Sequence, residues 1–180
     1  MPRKKIDLDN GLQELTEKKQ IELINIIYKE SCKNIVKITD EFEKWKWNSF
    51  VKKEDPEYFF YMLILIDVYS YDALLRGRYN AEVCNNIMVT VLEQHAKNLE
   101  KDSDTFIVKA IQDITEMSKS LNESVNRGID VFYAMFLYLV KESCNVPEEV
   151  LTNSKEVLPL SIIGILKDTA SSFSNIIKML

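Results

Sequence analysis

Apolar residues recur every three or four positions in four long stretches of this chain, and two further stretches are apolar on nearly every side. The first stripe runs through Ile21, Ile24, Tyr28, Ser31, Ile35, Ile38, Phe42 and Trp45, with Lys and Glu filling the opposite face. This spacing predicts a helix from about Thr16 of about 30 residues, about 45 Å long. A second stripe joins Val83, Cys84, Ile87, Met88, Val91, Leu92 and Leu99, and His95 extends it. A third joins Phe106, Ile107, Ala110, Ile111, Ile114, Met117, Leu121 and Val125. The last helix opens at Pro159 and carries Ile162, Leu166, Thr169, Phe173, Ile176 and Leu180. Asn145-Val146-Pro147-Glu148-Glu149 reads as the capped start of a short helix before it.

The two nearly unpatterned stretches are Tyr58–Arg76 (YFFYMLILIDVYSYDALLR) and 129–143, which opens IDVFYAMFLYLV. A run without charge fits a buried strand or a buried helix. For Tyr58–Arg76 the flanks favour a helix. Asp55 can cap, Pro56 suits the first helical position, and Glu57 suits the positive end of the dipole. Asp72 and Arg76 stand four apart with the acid first, the favourable order on a helix. Asp67, Ser70, Asp72 and Arg76 suggest that its second half reaches the surface. Helices apolar all round belong in a core. The expectation is an all-α, single-domain bundle of six or seven helices spanning 1–180, with 58–76 and 129–143 at its centre. Residues 1–15 form a loosely docked N-terminal segment in this reading.

Composition supports long helices. Gly and Pro number only four each, and folds with many turns use both heavily. The net charge is −5 and the pI near 5.1, which disfavours a dedicated nucleic-acid binder. No apolar run follows the basic start Pro2-Arg3-Lys4-Lys5, so no secretory leader is expected. No uncharged apolar run approaches the roughly 18 residues of a membrane span. Cys32, Cys84 and Cys144 are too far apart for a metal or disulfide framework and read as reduced, mostly buried residues of a cytoplasmic protein.

Candidate chemistry is sparse. His95 is the only histidine, and a lone His on an apolar stripe reads as a satisfied helix-end residue. No phosphate loop, nucleophile elbow or metal-carboxylate pair is present, so no metal and no cofactor are expected and the balance is against an enzyme. Asp67 inside the apolar helix, with Tyr71 one turn on, could hold a raised pKa in a pocket; the plainer reading is a carboxylate bonded to a Tyr or Ser hydroxyl or reaching water at the helix's exposed end. Arg76 and Arg78 flank Gly77, the expected C-cap of that helix, with Asn80 as the next N-cap. The pair could grip a carboxylate or phosphate, so Asp67, Tyr71, Arg76 and Arg78 are the candidate binding residues. In Lys44-Trp45-Lys46-Trp47, Trp45 continues the core stripe and Trp47 covers a helix end.

Val125-Asn126-Arg127-Gly128 and the apolar helix after it are similar to the motif that opens the central helix of B-cell-lymphoma-type apoptosis regulators. The similarity spans about ten residues. The Trp before the glycine and the Arg after it are absent here, and no second motif follows. The resemblance implies an all-α bundle with a groove for a partner's amphipathic helix.

The functional expectation is a non-enzymatic helical interaction module, an adaptor, regulator or assembly subunit binding protein or a second copy through helix faces or a groove. Two alternatives stand beside it. One is a small-ligand sensor or enzyme with a pocket near Asp67, Tyr71 and Arg76. The other is an accessory subunit of a nucleic-acid complex, touching phosphate through Arg3 to Lys5, Lys44, Lys46 or Arg76 to Arg78.

Overall fold

The computed structural model describes residues 15–52, 55–147, 149–150 and 157–179. Most of the expected N-terminal segment, the short helix expected after Pro147 except for Glu149 and Val150, which are helical, and the stripe position Leu180 therefore lie outside the described residues. Among the described residues there are six α-helices and no strand: α1 (Glu17–Lys44), α2 (Pro56–Arg76), α3 (Ala81–Asn98), α4 (Ser103–Asn126), α5 (Val131–Ser143) and α6 (Val157–Met179). A 3-10 turn (Trp47–Phe50) follows α1, and a lone bridge ties Val51 to Cys144.

Helix ends follow local chemistry. Asp55 Oδ1 accepts from the Tyr58 amide at 3.1 Å, Asn80 Oδ1 from Val83 at 2.9 Å and Asp102 Oδ1 from Thr105 at 2.9 Å. Each satisfies an N–H that the helix itself leaves open. Asp130 does the same for Phe132 and Tyr133, so α5 starts at Val131 rather than at 129. Gly77 is the C-cap of α2, in a right-handed conformation. Gly128 after α4 has φ +86°, where a side chain would be strained.

α2 is the hub. It packs on all five other helices, and these pack on one another in the closed order α1–α3–α4–α5–α6–α1. Its whole run from Tyr61 to Val68 is buried, because every side of it faces a neighbour. Asp67 is buried too, at 2 % exposure, so the expected emergence of α2 into solvent begins only later, at Ser70 and Asp72. Counted with its few charged residues, α2 is long and apolar enough to cross a bilayer, which the count of uncharged runs did not show. Here its apolar sides are covered by protein.

α5 lies beside α2 as expected, but it is a member of the ring and not a second centre. Ala134, Met135, Phe136, Leu139 and Val140 turn inward, while Phe132, Tyr133, Leu137 and Tyr138 are only half-buried. The helix that follows the Asn126–Gly128 motif is therefore not the central one, contrary to what the apoptosis-regulator resemblance implies.

The inward face of α1 keeps Ser31, Ile38 and Phe42 of the expected stripe but is rotated from it in the first half of the helix. Leu23, Ile27, Ser31, Asn34, Ile38 and Phe42 are buried, whereas Ile21 is 53 % exposed. The two tryptophans exchange roles. Lys46 adopts φ 60°, which ends α1 and turns the chain. Trp47 then falls into the core at 3 % exposure, against Phe42 (6.2 Å), Phe50 (5.7 Å) and Phe136 (6.1 Å). Trp45 stays outside at 38 %. The α3 stripe holds as expected, and on α6 Ile177 replaces Ile176 as the buried position.

Candidate functional site

Three helices contribute the polar residues at the middle of the bundle. Asn34 (α1) is the connector: its Nδ2 donates to Asp67 Oδ1 at 3.4 Å and to the Tyr71 hydroxyl at 3.3 Å, and its Oδ1 accepts from Thr169 Oγ1 (α6) at 2.9 Å. Asp67 Oδ2 and Ser31 Oγ are buried and without a partner as placed. Burial pushes the Asp67 carboxyl up to about 8, while the neighbouring Ser31 hydroxyl and Asn34 hold it down in part. At neutral pH Asp67 is thus mainly the neutral acid, and its proton can be donated to Ser31 Oγ, which would satisfy both open atoms. Burial raises the Tyr71 phenol as well, and the nearby Asp67 adds to it.

Asp67 and Tyr71 are thus brought together only through Asn34, which donates to both. A recess of about 90 Å³ between α1 and α6 reaches Asn34, Tyr71 and Thr169, with Glu30, Lys37 and Asp168 also on its walls. That is room for a few waters, far less than the roughly 300 Å³ or more of a small-molecule site.

Arg76 faces the other side of α2. Its Nε donates to Asp72 Oδ2 at 2.6 Å and its Nη2 to Asn85 Oδ1 of α3 at 2.6 Å. This pair closes one end of a groove of about 540 Å³ between α3 and α4. Val68, Met88 and Leu92 line the groove from α2 and α3, and Ile111 and Ile114 from α4. Ile111 is 49 % exposed, and the second oxygen of Asp72 is buried without a partner. Arg78 lies elsewhere, against Leu74, Ser174, Ile177 and Lys178 beside α6. The two arginines do not line a common recess, so the expected joint grip on one anion is not formed.

The remaining candidates take structural places. His95 is buried against the Tyr28 ring (4.9 Å) with Nε2 unpartnered, and burial alone lowers its pKa to about 4. It stands in the last turn of α3 as expected, but as a neutral core residue whose Nε2 has no partner and not as a satisfied one. Cys84 and Cys144 are buried and Cys32 half-buried, all three free. Lys44 pairs with Glu41 at 3.0 Å, and the Trp45 indole N–H donates to the same carboxylate at 3.0 Å. Among the described residues no group of His, Cys, Asp and Glu is gathered to hold a metal.

Sequence reasoning missed Asn34 as the connector. A signal was present: Ser31 and Thr169 are the polar interruptions in the stripes of α1 and α6, and Asp67 is the one in α2. Polar interruptions in three apolar faces meet when the faces meet, because a buried polar group needs a partner.

No family model matches this chain, and no curated protein or solved structure gives a significant match. What is defined here is the class: a compact all-helical domain, one apolar helix in a ring of five.

Proposed function

We propose that this protein is a non-enzymatic helical interaction module that receives an amphipathic helix of a partner protein in the groove between α3 and α4. The observation that carries the reading is the groove itself, apolar along its length and polar at one end, where Arg76 is 44 % exposed. Grooves of this form take the apolar face of a helix, with anchors repeating every three or four residues. Among the lining residues Arg76 and Lys119 are cationic and Asp72 anionic, a local excess of positive charge on a chain of net charge −5. That balance suits a partner helix with an acidic residue near its anchors. Asp67 and Tyr71 serve behind the groove, fixing α2 against α1 and α6.

A photo-crosslinking residue placed at Ile111, with a control at Val36, which is 58 % exposed on α1, tests this in extract from the native host. The expected result is one discrete protein adduct from position 111, absent at 36 and lost in Ile111→Glu and Arg76→Glu. Adducts of equal yield at both positions, adducts insensitive to both substitutions, or a nucleic-acid adduct whose yield falls as salt is raised before irradiation would refute it.

A further inference from the structure

At the opposite edge of α4, its first turns and those of α2 enclose a second recess, of about 360 Å³. Its walls are Tyr58, Phe60 and Tyr61 of α2, Leu99 after α3, and Phe106 of α4. The Tyr58 and Tyr61 rings lie 5.9 Å apart at 34°, and Phe106 meets Tyr61 edge-on at 5.5 Å. Tyr61 and Phe106 are buried by these contacts, and the Lys109 ammonium lies over both tyrosine rings, so the aromatic surface open to a ligand is that of Phe60 and the half-buried Tyr58, with Leu99 beside them. Phe60 stands at its lip, 39 % exposed.

The rim carries charge, yet each charge is engaged. Asp55 and Asp102 cap α2 and α4 through the Tyr58 and Thr105 amides. Lys101 pairs with Glu57 at 2.7 Å. Lys109 pairs with Asp113 at 2.7 Å while its ammonium lies 4.2 Å from the centroid of the Tyr61 ring. The Tyr61 hydroxyl donates to the same Asp113 at 2.7 Å. None of the buried unpartnered polar atoms belongs to a wall or rim residue. These rim pairs are exposed and cost little to open, so the preference for an uncharged ligand rests on the apolar wall, which offers a buried charge no unpaired polar atom. A volume of this size falls within the range of small-molecule sites.

From a recess of small-molecule size whose open wall is the apolar and aromatic surface of Tyr58, Phe60 and Leu99, we infer that the space between the N-terminal turns of α2 and α4 is a binding site for an uncharged, flat aromatic small molecule of one or two rings. This site shares no residue with the α3–α4 groove, so either can fail without the other.

The test uses the full chain with three probes of one shape and different charge: indole, indole-3-acetate and tryptamine. Binding is read from the ring signals of Phe60, Tyr61 and Phe106 by NMR. Indole is expected to shift these signals saturably, with a Kd on the order of 1 mM or below. Both charged analogues should bind at least about tenfold more weakly. Thr105→Trp, which places an indole at the rim from an exposed position, should abolish the shifts, and Phe60→Ala should weaken them roughly three- to tenfold. Three results would overturn the assignment: no saturable shift with indole, equal or tighter binding of a charged analogue, or unchanged binding in Thr105→Trp. A Trp-containing peptide that produces the same shifts at concentrations about tenfold below indole would also overturn it, assigning the recess to a partner's aromatic anchor.

Discussion

Replacing Asp67 by Asn should make this protein more stable at neutral pH, although it removes a buried carboxyl from the centre of the fold. Burial raises the Asp67 pKa to about 8, whereas in an unfolded chain an Asp titrates near about 3.9. Between these values the unfolded chain releases a proton that the folded protein keeps. Stability therefore falls as pH rises through this window and is level on either side. At about 1.4 kcal/mol per tenfold, the loss by pH 7 has a ceiling of about 4 kcal/mol. Asparagine keeps the geometry: its Oδ1 can accept from Asn34, and its amide can donate to Ser31 as the acid proton does. His95 titrates in the opposite sense. Its pKa is lowered to about 4 by burial, so its contribution is lost as pH falls from about 6.5 to about 4, a span worth about 3 kcal/mol. In the native protein the two slopes nearly cancel between about pH 4 and 6.5, and the net loss is concentrated between about 6.5 and 8. In Asp67→Asn the histidine slope stands alone, rising to about pH 6.5 and level above it. Urea unfolding followed by circular dichroism from pH 4 to 9 measures both curves. Parallel curves for the two proteins, or a variant less stable at pH 8 than the native protein, would refute the assignment of a neutral Asp67.

The tryptophans supply a second test. Trp47→Ala should cost about 3–5 kcal/mol and Trp45→Ala under about 1 kcal/mol in denaturant titrations, and the reverse order would contradict the packing around Phe42 and Phe136. The Asn34–Thr169 bond supplies a third. A double-mutant cycle of Asn34→Ala and Thr169→Val should show coupling on the order of 1 kcal/mol, with Asn34→Ala alone costing about 2–3 kcal/mol because it strands Asp67, Tyr71 and Thr169.

Much of the fold was legible because its signals are local. Asp55-Pro56-Glu57 states where α2 begins, Asn80 where α3 begins, and the scarcity of Gly and Pro makes the helical class plain. The face of α1 was only partly legible, for a physical reason. Ile21, Ile24, Ile26, Ile27, Ile35 and Val36 give that helix apolar residues on more than one side, and the side that is buried includes the polar Ser31 and Asn34. A hydrophobic count disfavours that side, and only the partners on α2 and α6 make it the right one. Trp47 was assigned to a helix end because the left-handed turn at Lys46 has no signature in a lysine. On α5, apolarity all round matched a central helix, but 13 residues with four large half-buried side chains serve a ring position. Of the candidate site, the proximity of Asp67 and Tyr71 could be read from helical spacing. The separation of Arg76 from Arg78 could not, since it depends on how the chain leaves Gly77 toward Asn80.

The closed order of the ring has a consequence for the nascent chain. α2 is made before α3 to α6, but the ring around it is sealed only when α6 returns to α1, across the 135 residues that separate Asn34 from Thr169. The stretch from Arg76 to Val157 takes on the order of 4–16 s to synthesise. Throughout that interval the most apolar helix of the molecule lacks one side of its cover, and Asp67 lacks the shelter that keeps it neutral. Most contacts of the bundle are local, yet the ring cannot close before α6 is made, so the apolar surface of α2 stays partly open until then.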